Sequence, residues 1–530
     1  MFLKGQNSKT IFSLSLLIVT FIALFIFLIK INSQAVFFLD DMNIVFVSPY
    51  NWDVFWRVPD HGSYTAYFPN KIIGFYLARF FKLHPQDFLL NCGIYVKSLL
   101  FLLIPFFSAL FCAKKHIKKP VFCLIFVFLF ILIFNSLRFS LVELAMSTAF
   151  YRFTFPILLW TVFLFYFYGY SSNNLKPDKK FLIISGILGF LLGNSSELLA
   201  AITFLVFLVM FLSEICFNPQ KNLSEILKNP ENKIYIPLIF VFLGFIMLIS
   251  NEGFLLQLVI KHDRFPNVTV LNTLPKIFIF LKEYLIFVVW KHILPLLTIF
   301  ASVFYLLRHK KEESFKPVVF VNAMTFGILA AYFLMFFAGQ THYDGDFWIV
   351  HNDLQFILHC CLLIIATVAV GLVADNIGLF EEQNQSSKSV KVLLGLVLIS
   401  VVINANSFAK LSDKYYEKTS SIRQKMYLYD KMTLFYWNKG ERAILPYDFD
   451  FSNILGYMAF DKTIRNFSFD EDDEMHKCYM ETNYPKVKYH GYLFTEPKTA
   501  FEEFKKNGGK ISKQEMRDIK FQRLQDESSK

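Results

Sequence analysis

Eleven runs of mostly apolar residues, each close to the length needed to cross a bilayer, constrain this chain more than any other feature. They cover roughly residues 11–31, 88–113, 120–136, 149–170, 181–194, 197–217, 234–250, 287–307, 317–338, 354–374 and 392–408. A spanning helix needs about 20 predominantly apolar residues. The run 181–194 is short. The run 287–307 follows Lys282 and Glu283 and contains Lys291 and His292, which blurs its start. Composition agrees with a lipid solvent: 55% of the 530 residues are hydrophobic and 18% are charged, against about 25% charged in a soluble chain. The 66 phenylalanines exceed what one globular core hides. The expected fold class is an all-α polytopic membrane protein of about 11 transmembrane helices, with a small C-terminal α/β extracytoplasmic domain.

The net charge of +11 needs no nucleic-acid partner. Basic residues fall in alternate connecting loops: Lys114, Lys115, Lys118 and Lys119, then Lys176, Lys179 and Lys180, then Lys221, Lys228 and Lys233, then Arg308, Lys310, Lys311 and Lys316, then Lys388 and Lys391. The other loops carry Asp40, Asp41, Asp53, Asp60, Glu143, Glu252, Asp263, Asp344, Asp346 and Asp353. By the positive-inside rule the basic loops and the N-terminus are cytoplasmic. An odd number of spans then places residues 409–530 on the outer face. Lys4 and Lys9 precede the run Ile11–Ile29, which is too long for a typical signal-peptide core and lacks a small-x-small cleavage site. It reads as an uncleaved first span. The 7 cysteines show neither zinc-site spacing nor a disulfide framework.

Two domains are expected, 1–408 in the membrane and 409–530 outside it. The first outer loop, 32–87, holds a helix starting at Pro69 and running to about residue 83. Ile72, Ile73, Tyr76, Leu77, Phe80 and Phe81 recur on one side, with Lys71, Arg79 and Lys82 off that stripe, the pattern of a helix that lies in the membrane surface or packs on the bundle. In the tail, 411–432 reads as a helix, and Ala443–Leu445 and Tyr489–Phe494 read as short strands.

Candidate chemistry gathers on the outer face. Asp40-Asp41 opens loop one directly after an apolar run. Carboxylates so near the bilayer are costly and seldom incidental. One can orient a metal or a phosphate counter-charge while the other meets an acceptor hydroxyl, and each raises its neighbour's pKa toward that of a general base. The pair equally suits an N-cap for a helix beginning near Met42. In Asn194-Ser195-Ser196-Glu197, Asn194 and Glu197 fit a capping box, and Glu197 also suits contact with a sugar hydroxyl. In Arg138…Glu143…Tyr151-Arg152-Phe153…Pro156, Arg152 suits bidentate phosphate contact, whereas Arg138 suits an interfacial, snorkelling role. The stretch His342-Tyr343-Asp344-Gly345-Asp346-Phe347-Trp348…His351-Asn352-Asp353 is dense in groups that bind cations or stack on sugars, without a defined metal motif. Arg57, His61 and His351 join Glu197, Arg152 and Tyr151 as the substrate-binding candidates. No Walker, Rossmann or nucleophile-elbow pattern appears, which argues for a lipid-linked donor rather than a nucleotide-linked one.

These residues carry a resemblance. One span, an outer loop opening with Asp40-Asp41, an interfacial helix at 69–83 and a returning span resemble bacterial polytopic glycosyltransferases of the GT-C type, in particular the membrane families related to O-antigen glucosyl transferases. Tyr151–Pro156 is similar to the aromatic-x-x-Pro entry to the fourth span, and Gly193–Glu197 to the Gly-x-x-x-Glu turn. The resemblance covers roughly residues 1–210. It implies a sugar donor on polyprenyl phosphate and a glycan or lipid acceptor at the outer leaflet of the bacterial cytoplasmic membrane. It further implies Asp41 as catalytic base, helped by Asp40 or with Asp40 on a divalent cation (Mg or Mn), and inversion at the anomeric centre. The chain departs from the pattern at Arg138–Glu143, an imperfect substitute for an acidic second-loop motif. It departs again in lacking an evident late phosphate-binding arginine, for which Arg264 or His351 are candidates. Two other classes fit the spans: a transporter or flippase of a lipid-linked saccharide, and a non-catalytic membrane scaffold.

Overall fold

The computed structural model describes residues 8–33, 85–113, 117, 120–139, 144, 150–172, 177–217, 236–251, 277–308, 315–342, 352–376, 388–446 and 487–512. The expected interfacial helix at 69–83 lies outside the described residues, as do Asp40 and Asp41.

The described chain is largely helical. Its helices are α1 (Ser8–Asn32), α2 (Pro85–Ala113), α3 (Pro120–Asn135), α4 (Phe155–Ser172), α5 (Lys179–Gly193), α6 (Glu197–Phe217), α7 (Ile236–Ile249), α8 (Ile277–Glu283), α9 (Ile293–Arg308), α10 (Phe315–His342), α11 (Asn352–Asn376), α12 (Lys388–Trp437) and α13 (Pro497–Lys506). Two short strands, β1 (Ala443–Pro446) and β2 (Tyr492–Thr495), pair in parallel, Ala443 opposite Tyr492 and Pro446 opposite Thr495. Each of the eleven apolar runs lies on one or more of these helices. Among the described residues six stretches are long and apolar enough to cross a membrane: Thr10–Asn32, Gly93–Phe111, Pro120–Arg138, Phe150–Phe167, Ile277–Arg308 and Gln355–Ala374. Glu197–Val206, Ile236–Ile249 and Val318–Leu334 are shorter apolar helices.

Helix α11 is the axis of the bundle. Some 78% of Gln355–Ala374 is enclosed by protein, against 17% of Thr10–Asn32, so α1 is peripheral and α11 central. Helices α2, α9 and α10 pack against α11. Lipid tails are as apolar as leucine, so association of spanning helices rests on close van der Waals fit. Helices α5 and α7 supply it with glycine. A methyl group at Gly193 would lie 2.0 Å from the Val241 carbonyl oxygen, and one at Gly244 would lie 2.3 Å from that of Phe190. Gly189 and Gly193 form a small-xxx-small stripe at this backbone-to-backbone crossing.

Helix α12 runs for 50 residues, about 75 Å at 1.5 Å per residue. The apolar run 392–408 and the tail helix expected at 411–432 are therefore one rod, unbroken where the composition changes. Its contacts fix its place. Phe408 lies 4.8 Å from Phe134 and 5.1 Å from Phe27, ring centre to ring centre. The Asn135 amide donates to the Asn404 carbonyl at 3.1 Å. The Tyr415 hydroxyl donates to Asn32 Oδ1 at 2.9 Å, Asn32 Nδ2 donates to Ser98 Oγ at 3.2 Å, and Arg423 donates to the Ser33 carbonyl. The rod thus leaves the bundle at the end where α1 finishes. Beyond it, Tyr436, Trp437, Ala443, Leu445, Tyr492, Ala500 and Phe504 bury against one another, joining the strands to the end of α12 and to α13. The second strand falls at 492–495 rather than 489–494, because Gly491, with φ +81°, turns the chain just before it.

Candidate functional site: a basic, histidine-bearing end of the bundle

Two helical entries at this end depart from α geometry, and in both a proline explains it. Phe150–Thr154 is a π-turn ahead of α4, and Pro156 has no N–H to give the carbonyl of Arg152. Tyr284–Val289 is a π-turn and Trp290–His292 a 3-10 turn ahead of α9, and Pro295 likewise leaves the Lys291 carbonyl without its helical donor. Basic side chains thus sit on the two locally unwound turns. Turns of this kind recur at functional sites.

A third basic residue, Arg138, closes the 3-10 turn Ser136–Arg138 that ends α3. Its guanidinium stands 4.8 Å from the centre of the Phe139 ring, within cation–π range. Phe139 in turn lies 5.2 Å from the His292 ring and 5.1 Å from that of His359. The two imidazoles are 5.1 Å apart by ring centres and meet Nδ1 to Nδ1 at 2.9 Å. His292 is fully buried and His359 is 8% exposed. Lys291 donates to Gln355 Oε1 at 3.4 Å, tying the entry of α9 to the first turns of α11. Lys97, inside α2 and 2% exposed, donates to the carbonyl of Leu144 at 3.3 Å, anchoring the segment between Arg138 and Arg152.

The chemistry available is that of basic side chains at one end of the bundle, Arg138 and Lys291 exposed and Arg152 half-buried. Arg138 and Arg152 have no acidic partner among the described residues, and Arg152 rests beside the ring of Phe153, 5.1 Å from its centre. Basic side chains without an acidic partner suit contact with an anion.

The sequence candidates divide accordingly. Arg152 and Tyr151 are on the π-turn. Tyr151 is a buried ring packed between Phe150 and Phe155 at 5.4 and 6.0 Å. Glu197 is the first residue of α6 and half-buried, where its charge favours the helix N-terminus. The capping-box assignment is corrected: Asn194 is the C-cap of α5, and the first bond of α6 goes to the Ser196 carbonyl, so Glu197 does not stand at the third helical position. Among the described residues Glu197 makes no hydrogen bond or ion pair with Arg152, Arg138 or the histidines. Asp40, Asp41, Arg57, His61, Glu143, Arg264 and His351 lie outside the described residues. No group of three or more His, Cys, Asp or Glu able to hold a metal is present among the described residues. The nearest donors, His292 and His359, stand beside Arg138 and Lys291, which disfavour a cation.

Lys97, His292 and His359 are absent from the sequence-level candidates. Each is an ionisable residue inside an apolar run, which is a signal in itself. Nothing in the sequence pairs His292 with His359, 67 residues apart.

No family model matches the chain, and no match was found among curated proteins or solved structures.

Proposed function

We propose that this protein is a membrane glycosyltransferase that moves a sugar from a polyprenyl-phosphate donor to a cell-envelope glycan or lipid acceptor at the outer face of the bacterial cytoplasmic membrane. The observation that carries this reading is the set of basic side chains, Arg138, Arg152 and Lys291, at one end of a bundle of membrane-length helices. Such a set of cations suits the phosphate of a lipid carrier, whose apolar tail stays in the bilayer. Arginine binds phosphate in a bidentate manner, and positive charge at the phosphate lowers the barrier to its departure. The loop from Ser33 to the start of α2 leaves from the same end, and Asp40 and Asp41 stand in its first part. In this reading Asp41 takes the acceptor hydroxyl proton as the oxygen attacks the anomeric carbon. Asp40 shares that task or holds a divalent cation, while Glu197, Tyr151, Arg57, His61 and His351 contact sugar or acceptor. The tail carried by α12 at this end recognises the acceptor from outside, the N-terminus being cytoplasmic.

One observation favours a second reading, a flippase for a lipid-linked saccharide. One membrane-length helical stretch is interrupted at Tyr284–His292, between α8 and α9, and broken helices are a habit of transporters. Purified protein in vesicles containing a labelled sugar–polyprenyl phosphate and an acceptor extract separates the two. Label joined to the acceptor supports the transferase. Label crossing the bilayer with its carrier bond intact supports the flippase.

A further inference from the structure

The enzyme reading has no use for the contact between His292 and His359, yet it is the most unusual polar feature of the bundle. Both rings are buried on helices of membrane length. Their Nδ1 atoms are 2.9 Å apart, so one proton lies between them: two facing N–H groups would repel, and two bare lone pairs would not bond. His292 Nε2 is sealed from solvent with no hydrogen-bond partner among the described residues. A bare nitrogen is tolerated there more readily than an orphaned N–H. This favours His292 as the donor through Nδ1–H and His359 as the acceptor, its own proton on Nε2.

We propose that His292 and His359 form a proton-binding unit that reports protonation as a change in the contact between the entry turn of α9 and helix α11. The balance is simple. The neutral pair carries two ring protons, one of them in the contact. One further proton, entering at the partly exposed His359, can settle only on that ring's Nδ1, since its Nε2 is already protonated. That places N–H on both facing nitrogens and breaks the contact. The exposed fraction of the pair belongs to His359, so exchange with the aqueous side runs through that ring. The charged groups facing the pair among the described residues are Arg138, from the 3-10 turn after α3, and Lys291, from the entry turn itself, with neutral Gln355 on α11. Arg138 and Lys291 are both cations, so the charge gained by the pair adds to the repulsion across the broken contact, and the entry turn of α9 separates from α11. The inference does not depend on which substrate the protein handles.

The test is nitrogen-15 NMR of the full-length chain in lipid bilayers, labelled at histidine, as pH is lowered. Wild type is compared with His292→Gln and His359→Gln, glutamine being neutral and able to hydrogen-bond. Circular dichroism on the same samples establishes the fold. Should one variant fail to fold, the other reads the same coupling from the opposite ring. The expected result is a shared-proton pair of ring signals that vanishes in either variant, with the surviving histidine titrating about one pH unit or more away from its wild-type midpoint. An unchanged midpoint for the surviving ring overturns the proposal. So does a pair of signals that responds to added zinc or to a chelator rather than to pH.

Discussion

The Tyr415 hydroxyl donates to Asn32 Oδ1 at 2.9 Å, joining two residues 383 positions apart. Through this bond the long rod α12 is fastened to the last turn of α1, immediately before the loop that carries Asp40 and Asp41. Asn32 uses its amide on Ser98 at the same time, so three helices meet at one buried polar point. Tyr415→Phe leaves Asn32 Oδ1 buried without its donor and costs about 1–3 kcal/mol. Denaturant unfolding in detergent micelles, wild type against Tyr415→Phe, measures it.

The same bond gives the fold an alkaline limit. Burial holds the Tyr415 phenol well above the ordinary tyrosine range. In the unfolded chain the phenol ionises near pH ~10. The folded state therefore keeps a proton that the unfolded state releases. The stability from this group is complete below that pH and is lost as pH rises toward the folded value. Tyr415→Phe is expected to flatten the fall of melting temperature with pH above about 10. An alkaline limb of equal slope in both proteins contradicts this.

The crossing of α5 and α7 depends on hydrogen where other residues carry a side chain. Gly193→Ala forces apart backbones that a methyl group would approach to 2.0 Å, and costs about 1–3 kcal/mol or more. Gly93 in α2 is the comparison: among the described residues a methyl there meets nothing within 4 Å, so Gly93→Ala is expected to cost less than Gly193→Ala. Thermal unfolding should show the larger loss of melting temperature in Gly193→Ala.

If the basic end holds a phosphate, Arg138→Gln and Arg152→Gln each remove a charge-assisted contact worth roughly 1.5–3 kcal/mol. Sugar transfer is then expected to fall about tenfold to a hundredfold in kcat/KM at each site, with lysine restoring part of the loss because it keeps the charge but not the paired geometry. Steady-state kinetics with a lipid-linked donor check both.

Much of the helical frame is legible in the sequence, because the length and apolarity of a run report directly on what lipid demands of a backbone. Thus 120–136 appears as α3, 354–374 as α11, and even the doubtful 181–194 as α5. The chain also announces the first strand through Ala443–Leu445, although the strand takes in Pro446 as well. What local pattern does not report is which residues meet. The fusion of 392–408 and 411–432 into one rod is hidden because polarity changes at residue 408 while helix propensity does not. The breaks before α4 and α9 follow from Pro156 and Pro295, yet their consequence for Arg152 and Lys291 appears only once the helices are in place. The His292–His359 contact depends on how α9 crosses α11, a tertiary fact with no trace in either segment. Asn194 shows the opposite error: a good local capping pattern was outweighed when α5 ran on to Gly193 and took Asn194 as its end.

The central claim is that the acidic doublet beyond α1 and the basic end of the bundle act together on a lipid-linked sugar. It is tested most directly by following a labelled sugar from a polyprenyl-phosphate carrier to acceptor in membranes bearing wild-type protein or Asp41→Asn, an isosteric change that removes only the charge. Transfer by wild type and its near-complete loss in Asp41→Asn is the predicted result. Equal transfer by the two proteins, or none by wild type while the intact carrier crosses the bilayer, would contradict it.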